Sequence, residues 1–320
     1  MNGTLRKIYE IGIVPVIAID DAEKAVPLAQ ALVKGGLNAA EITFRTDAAE
    51  AAMRAIIENV PEMLVGAGTV LTKEQLDRAL DAGAKFIVSP GFNPGMVRYG
   101  ISKGALMLPG TATGGEMEQA MALGLEAVKF FPAEQNGGLT KLKALAGPYR
   151  SLKWLPTGGI NEKNLNDYLS FDQILACGGT WMVKKSLIEA ERWDEIERLS
   201  RAAVKAMLDF SLMHVGINCA DGAEAERTAK LLCTLFDLDY KPGNSSVFAG
   251  AAVECMRKPY LGANGHIAIG TSNVDRAVAH LTRLGVEFDE TTCRRDASGS
   301  IKTIYLKGDF SGFAVHLVKK

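Results

Sequence analysis

The sequence lacks an excess of charge of either sign, and it lacks a long apolar run. Its 320 residues contain 36 lysines and arginines against 37 aspartates and glutamates, a formal net charge of −1. A nearly neutral chain has no electrostatic attraction for nucleic acid or for an anionic membrane surface. No apolar stretch reaches the ~20 residues that a membrane-spanning helix needs. We therefore expect partners other than nucleic acid or membrane.

Disulfide chemistry and secretion signals are also missing from the sequence. The five cysteines are an odd number and form no CxxC pair, which argues against a disulfide framework or a redox motif. The N-terminal stretch MNGTLRKIYEIG has no apolar core of the kind that a secretory signal carries. These features predict a reduced, cytoplasmic protein, and the length favours two domains.

The N-terminal part of the chain repeats one unit, a short apolar run followed by an amphipathic segment. Eight runs recur at intervals that fit one strand plus one helix: 13–19, 39–44, 64–68, 85–90, 105–110, 126–132, 152–159 and 173–179. Continuous apolar strands that alternate with helices favour a buried parallel sheet. Eight such units predict an α/β fold, a (β/α)8 TIM barrel, over residues 1–205.

Lys129 is a lysine within the apolar run EAVKFFP. Either its side chain extends to solvent, or its burial serves chemistry. An apolar setting favours the neutral amine, which attacks a ketone to form a Schiff base. Glu41, at another strand end, suits the proton transfer that this chemistry needs, although Glu41 and Arg45 also suit a plain ion pair. Arg45, expected on the same strand face as Thr43, suits a substrate carboxylate.

Paired glycines follow two of the predicted strands, in TGG (157–159) and GGT (178–180). Active sites of TIM barrels lie at the C-terminal ends of the strands, and backbone amides after the last strands commonly bind phosphate there. Glycine pairs are also frequent in ordinary turns. Their position after neighbouring strands favours a phosphate site.

Seven motifs occur in order and together resemble the family of 2-keto-3-deoxy-6-phosphogluconate (KDPG) and 4-hydroxy-2-oxoglutarate (KHG) aldolases. The motifs are EITFRT (41–46), GAGTV (66–70), SPGF (89–92), KFFPAE (129–134), AGPY (146–149), PTGGI (156–160) and CGGTW (177–181). The resemblance covers about residues 1–205. It implies a class I aldolase that forms a trimer, needs no cofactor and cleaves the sugar-acid phosphate KDPG to pyruvate and glyceraldehyde 3-phosphate.

The resemblance also implies roles for the matching residues. Lys129 would be the Schiff-base lysine and Glu41 the acid/base. The implied substrate-binding residues are Arg45 and Thr69 at the pyruvyl carboxylate, Pro90, Phe131 and Thr157 around the pocket, and Gly158, Gly159, Gly179 and Thr180 at the phosphate. Thr180 stands where the family usually has serine, so a preference for KHG, or for the C4 epimer KDPGal, stays open.

After about residue 205 the pattern changes to an internal repeat. The segments 213–241 and 265–290 each read as strand, helix and strand, and each opens with a histidine followed by alternating apolar residues. Further short strands follow each copy. The repeat predicts two βαβββ modules that form a smaller α+β domain over residues 206–320.

All four histidines of the chain lie in this C-terminal part. His214 and His266 open equivalent strands of the two repeats, and Glu254 and His316 lie in equivalent last strands. Imidazole nitrogens and a carboxylate at repeat-related positions suit a divalent transition metal, and histidines packed without a metal are the alternative. His280 lies in a predicted helix, where we expect a surface or core role.

The paired modules resemble the glyoxalase/vicinal-oxygen-chelate superfamily over about residues 212–320. The resemblance implies His and Glu metal ligands, with His316 in place of the usual glutamate. The domain is then either a second enzyme or a sensing or oligomerising module. A rival hypothesis for the whole chain is a barrel that only binds phosphate, with catalysis in the C-terminal domain. A desolvated Lys129 facing Glu41 argues against that rival.

Overall fold

The computed structural model describes residues 1–320 and divides into two compact units, Met1–Met207 and Leu208–Lys320. Each unit has one eight-stranded sheet. The helices are short, and none combines the length and the hydropathy that a membrane span requires.

Eight parallel strands build the N-terminal unit. They are β1 (Ile13–Ile17), β2 (Ala39–Thr43), β3 (Leu64–Gly68), β4 (Ile87–Ser89), β5 (Met107–Thr111), β6 (Ala127–Phe130), β7 (Lys153–Pro156) and β8 (Cys177–Gly179). The pairing order is β7-β6-β5-β4-β3-β2-β1-β8, and parallel bridges from Trp154 to Ile174 and from Thr157 to Gly178 close the sheet. The predicted (β/α)8 barrel is confirmed.

Helices follow the strands around the barrel. They are α1 (Gly3–Ile11), α2 (Ala25–Lys34), α3 (Ala49–Asn59), α4 (Lys73–Asp81), α5 (Pro94–Ser102), α6 (Gly114–Ala122), α7 (Gly138–Ala146), α8 (Leu165–Leu169), α9 (Lys185–Glu189) and α10 (Trp193–Leu208), with a 3-10 turn at Ala22–Lys24. Capping boxes start α4 and α6, where Thr72 pairs with Gln75 and Thr113 with Glu116. Each box satisfies two backbone donors that would otherwise lack partners.

The eighth strand is shorter than the apolar run 173–179 predicts. Only Cys177–Gly179 pairs with β1. A turn ends at Ile174, whose amide donates to the Phe171 carbonyl, and Ile174 itself makes only an isolated bridge to Trp154 of β7. The turn therefore delays regular pairing until Cys177.

Helix α1 closes the N-terminal end of the barrel. Its residues Leu5, Ile8 and Ile11 are buried together with strand residues such as Val14 and Ala127. Side chains near the starts of the strands thus pack against a helix, and the opposite, C-terminal end of the barrel is left for a site.

The C-terminal unit contains two βαβββ modules, as predicted. The first is β9 (Ser211–Asn218), α11 (Gly222–Phe236), β10 (Tyr240–Pro242), β11 (Ser246–Ala249) and β12 (Val253–Met256). The second is β13 (Gly265–Thr271), α12 (Val274–Arg283), β14 (Phe288–Arg295), β15 (Ile301–Leu306) and β16 (Phe313–Lys319). The sheet order is β10-β11-β12-β9-β13-β16-β15-β14, so the modules join along the antiparallel pair β9–β13.

His214 does not open its strand, contrary to expectation. Strand β9 begins three residues earlier, at Ser211. The early start is possible because Ser211 and Leu212 pair with Gly270 and Ile269 of β13, beyond a bulge in the register.

We expect Ile8→Ala to destabilise the barrel, because Ile8 is fully buried in the cluster that closes it. Truncating a buried isoleucine costs about 2–5 kcal/mol. All three tryptophans, Trp154, Trp181 and Trp193, lie in the N-terminal unit, so urea unfolding followed by tryptophan fluorescence reports that unit. Lys7→Ala on the exposed side of α1 is the control, with an expected change within about 0.5 kcal/mol. Equal effects of both substitutions would contradict the closing role of α1.

Candidate active site and candidate metal centre

Lys129 and Glu41 form an ion pair inside the barrel. Lys129 Nζ lies 3.1 Å from Glu41 Oε1, and the two residues are only 5% and 1% exposed. Strands β2 and β6 are four positions apart in the barrel, so the pair spans its interior. Glu41 Oε2 has no hydrogen-bond partner. Lys129 therefore does not extend to solvent, and Glu41 pairs with Lys129 instead of Arg45.

Small and polar neighbours make room for this pair. A Cβ atom at Gly68 would lie 2.3 Å from Glu41 Oε1, so any side chain at that position of β3 would displace the Glu41 carboxylate. The Thr111 hydroxyl donates to the Lys129 carbonyl at 3.1 Å and ties β5 to β6. Sequence reasoning gave neither Gly68 nor Thr111 a role. Two features of the sequence could have pointed to them. Gly68 is a glycine at the end of the strand next to that of Glu41, and Thr111 is a polar residue at the end of an apolar run.

Arg45 lies outside the strand, and the expectation that it shares a strand face with Thr43 is wrong. Strand β2 ends at Thr43, and the chain then turns at Phe44 and Arg45. The Thr43 side chain is also committed elsewhere, since its hydroxyl donates to the Ile17 carbonyl at 2.8 Å. The Arg45 side chain is exposed and makes no ion pair, which leaves its guanidinium available beyond the C-terminal end of β2.

Thr69, directly after β3, has a strained backbone with φ of 55°. A β-branched residue in the left-handed region is a genuine outlier and costs about 1–3 kcal/mol, a form of strain that clusters at functional sites. Pro90 follows β4 at the same end of the barrel and is half-buried. Phe131 is half-buried beside the lysine, with its ring centroid 5.2 Å from Lys129 Nζ.

The ends of β7 and β8 present unpaired hydrogen-bonding groups. Gly158 and Gly159 have φ of 99° and 80°, and their amides have no acceptor. Thr157 Oγ1 is buried without a partner, against Gly178, where a Cβ would lie 2.2 Å away. Thr180 follows β8 and is exposed. Successive free amides in turn conformations of this kind form a concave anion site.

Glu134 and Gly179 support this loop. The Glu134 amide donates to the Gly158 carbonyl at 3.1 Å, and its carboxylate accepts a hydrogen bond from the Tyr168 hydroxyl. Burial, and then the Glu134 carboxylate, raise the pKa of Tyr168, which keeps the phenol a donor. A Cβ at Gly159 would lie 2.4 Å from Glu134 Cγ, and one at Gly179 would lie 1.9 Å from the Trp181 ring.

A lysine paired with a carboxylate at the carboxyl end of a (β/α)8 barrel, beside free amides, defines the aldolase class of lyases. The family model described as KDPG and KHG aldolase matches residues 5–199, and the chain belongs to this family. The match ends before the C-terminal unit begins.

Relatives and solved structures agree with this assignment. The chain is 48% identical over 200 residues to a 2-dehydro-3-deoxy-phosphogluconate aldolase of Haemophilus influenzae, which covers 62% of this chain and 94% of the relative. It is 44% identical to the KHG/KDPG aldolase of Escherichia coli, over 60% of this chain and 91% of the relative. The KDPG aldolase of Legionella pneumophila, solved with pyruvate as a covalent carbinolamine intermediate, aligns with a TM-score of 0.60 and 36% identity, over 62% of this chain and 97% of that one.

A second cluster of functional side chains lies in the C-terminal unit. Nε2 of His214 lies 3.1 Å from Nε2 of His266, and Glu254 Oε2 lies 3.1 Å and 3.0 Å from these two nitrogens. One ligand atom from each of His214, His266 and His316 lies within 4.8 Å of the others. The structure thus brings together the four residues that the repeat places at equivalent positions. His280 lies apart from them on α12.

Three further residues hold this cluster in place. Ser246 donates to Glu254 Oε1 at 2.5 Å, and Thr303 Oγ1 lies 3.0 Å from His316 Nδ1. The Tyr305 ring stacks on His316 with centroids 4.7 Å apart. Sequence reasoning missed all three. The signal was their alternation along short antiparallel strands, which is readable only once the register is known.

The protonation states favour metal ligation. Burial alone would raise the pKa of Glu254, but hydrogen bonds from His214, His266 and Ser246 outweigh burial and hold that pKa well below its usual range. Burial, aided by the neighbouring histidines, lowers the pKa of His316 to about 4. At neutral pH, Glu254 is therefore an anion and His316 a neutral imidazole, which are the forms that bind metals.

The donor set fits a transition metal. Three imidazoles converge, the Glu254 carboxylate contacts two of them, and His316 Nε2 is buried without any partner. Thr303 on the opposite nitrogen of His316 is the kind of outer partner that orients a ligating histidine. His266 Nδ1 is buried and has no such partner. A Cβ at Gly216 would lie 2.1 Å from the His266 ring, so a glycine there keeps the cluster open.

We expect Gly68→Ala to lower aldolase kcat/KM by on the order of 100-fold, because the added methyl group displaces Glu41 and a displacement of about 1 Å has that cost. The measurement is a coupled assay of pyruvate release. Gly115→Ala is the control, since a Cβ at Gly115 meets no atom within 4 Å. Full activity of Gly68→Ala would show that the position of Glu41 does not matter.

Proposed function

We propose that the barrel cleaves KDPG to pyruvate and glyceraldehyde 3-phosphate through a Schiff base on Lys129. The observation that carries this proposal is the buried pair of Lys129 and Glu41, 3.1 Å apart at the barrel interior. Relatives of 40–48% identity are named as aldolases of this substrate, which supports the same substrate here.

Each step uses groups of the chain. Lys129 gives a proton to Glu41 and attacks the C2 carbonyl. Glu41 returns that proton to the carbinolamine oxygen, which leaves as water while the iminium forms and Glu41 becomes a carboxylate again. Glu41, directly or through a water, then takes the C4 hydroxyl proton while the C3–C4 bond breaks and its electron pair moves toward the iminium nitrogen. The aldehyde departs. A proton returns to C3, and water hydrolyses the imine to release pyruvate and restore Lys129.

The substrate would extend from Lys129 across the mouth of the barrel. We assign its carboxylate to Arg45 and Thr69, because a guanidinium matches a carboxylate in two parallel hydrogen bonds. The remaining contacts are assigned to Pro90, Phe131 and Thr157 around the pyruvyl group, and to Gly158, Gly159, Gly179 and Thr180 at the phosphate. The free amides of Gly158 and Gly159 favour the phosphorylated KDPG over KHG. They do not distinguish KDPG from its epimer KDPGal.

Two features of this proposal rest on the family resemblance alone. They are a homotrimeric assembly and a barrel that works without a cofactor. The rival, a barrel that only binds phosphate, leaves the buried ion pair without a purpose, since burying two charges costs free energy that a binding loop does not need.

Borohydride reduction in the presence of pyruvate tests the aldolase proposal. We expect one reduced pyruvyl adduct per chain, mapped to Lys129 by peptide mass spectrometry, because reduction traps the imine. The adduct should be absent from Lys129→Ala and unchanged in Lys163→Ala, which removes an exposed lysine of the same unit. A folded parent protein that forms no adduct would favour the phosphate-binding rival.

In the C-terminal unit we propose a divalent transition metal held by His214, Glu254, His266 and His316. The convergence of their ligand atoms supports this proposal, as does the likeness of the two βαβββ modules to the glyoxalase/vicinal-oxygen-chelate superfamily. A bound ion would polarise an oxygen of a ligand. Isomerase, epimerase, lyase and dioxygenase chemistry all fit such a site, and a sensing or oligomerising module is the non-catalytic alternative.

Metal content of the full chain tests the second proposal. After incubation with Zn²⁺ or Co²⁺ and dialysis, we expect about one ion per chain, the stoichiometry of a single ligand set. His214→Ala and His266→Ala should each lose it, because each removes a converging nitrogen. His280→Ala should keep it, since His280 lies on α12 away from the cluster. Metal retained by both cluster variants would overturn the assignment.

A further inference from the structure

The histidine cluster lies in a cavity that is far larger than a metal ion requires. The cavity has a volume of about 930 Å³, within the range of sites for small organic ligands. Its wall includes the four proposed metal ligands and apolar surface from Met256, Pro259 and Val318, with Tyr260 and Tyr305 alongside. This cavity therefore has room for a small molecule beside the ion.

The charges on the cavity wall are unbalanced. Besides Glu254, the charged side chains that line it are Arg257, Lys258 and Arg294, all cations. Glu254 faces the histidines, and Arg257 is paired with Glu226 at 2.6 Å. The side chains of Lys258 and Arg294 make no ion pair or hydrogen bond, so two positive charges are left for a ligand.

These two cations come from the two different halves of the sheet, one near β12 and the other on β14. Lys258 follows the end of β12, four residues after Glu254. Arg294 lies on β14, opposite Thr303 of β15, whose other neighbour is β16 with His316. Adjacent strands are ~4.8 Å apart, which puts the Arg294 backbone about 10 Å from β16. Both residues are exposed, so they stand at the rim while the cluster lies at the base.

We propose that this cavity binds a small molecule with two acidic ends. One end offers oxygen donors to the metal cluster, and the other, a carboxylate or a phosphate, is held by Lys258 and Arg294. The inference rests on the metal site proposed above for the first end only. The rim cations act on the second end, through charge-assisted hydrogen bonds of the kind that Arg forms with carboxylate and phosphate.

The test uses the full chain loaded with Co²⁺, whose visible spectrum reports binding at the C-terminal cluster and not in the barrel. The probes are two matched pairs, 2-hydroxyglutarate with 2-hydroxyvalerate and 3-phosphoglycerate with glycerate. In each pair the metal-binding end is the same, and only the first member has a distal anion. The better-bound charged probe shows whether carboxylate or phosphate is preferred.

We expect each charged probe to bind more tightly than its partner. Arg294→Gln and Lys258→Gln should weaken the charged probes by on the order of 10-fold, the cost of losing a hydrogen bond to a charged group. Binding of the uncharged partners and of Co²⁺ itself should change less than about 2-fold, since neither uses the rim charges. The control is Arg295→Gln, the neighbouring arginine, which contacts Asp275 of α12 and does not line the cavity. Its affinities for all four probes should equal those of the parent chain.

Equal loss for charged and uncharged probes, or no loss for either, would overturn the inference. A parent chain that binds no Co²⁺ would overturn the metal proposal instead. In that case, saturation-transfer NMR of 2-hydroxyglutarate with the metal-free chain tests whether Lys258 and Arg294 bind the anion. A signal that weakens in both Arg294→Gln and Lys258→Gln supports it, and an unchanged or absent signal refutes it.

Discussion

The ion pair of Lys129 and Glu41 is the constraint on which the barrel site depends. Taking both charges out of water is costly, and only a close, well-oriented partner offsets that cost. The neighbouring strands are therefore adapted to the pair. Gly68 leaves space for the carboxylate, and Thr111 holds the backbone of the lysine strand. The arrangement sacrifices stability at one point for a positioned amine and a positioned base.

Most of the fold could be read from the sequence because its periodicity is strong and repeated. Apolar runs alternate with amphipathic segments that start at residues such as Thr72 and Thr113, and caps of this kind mark where helices begin. The short eighth strand could not be foreseen. The turn that ends at Ile174 is set by the hydrogen bond from its amide to the Phe171 carbonyl, and from the sequence an apolar residue at the end of a turn cannot be told from the first residue of a strand.

Predicting the sites from sequence was harder, since it requires contacts between strands. Lys129 was visible as a charge within an apolar run and was expected to face Glu41, but the sequence also left Arg45 as a partner for Glu41, because Arg45 lies close in sequence and Lys129 is 88 residues away. Arg45 itself was misplaced because a strand end cannot be located to within one or two residues from composition. The residues behind the histidine cluster, such as Thr303 and Tyr305, become apparent only from the register between strands.

The seam between the two modules of the C-terminal unit makes its cavity directional. Strands β9 and β13 run antiparallel there, so each module contributes a histidine from its first strand and a second donor from its last. In a perfectly symmetric pair these second donors would match, and a ligand could enter in either of two equivalent orientations. Glu254 on one side and His316 on the other break that equivalence. The cavity is therefore asymmetric, and it distinguishes the two ends of the molecule that it binds.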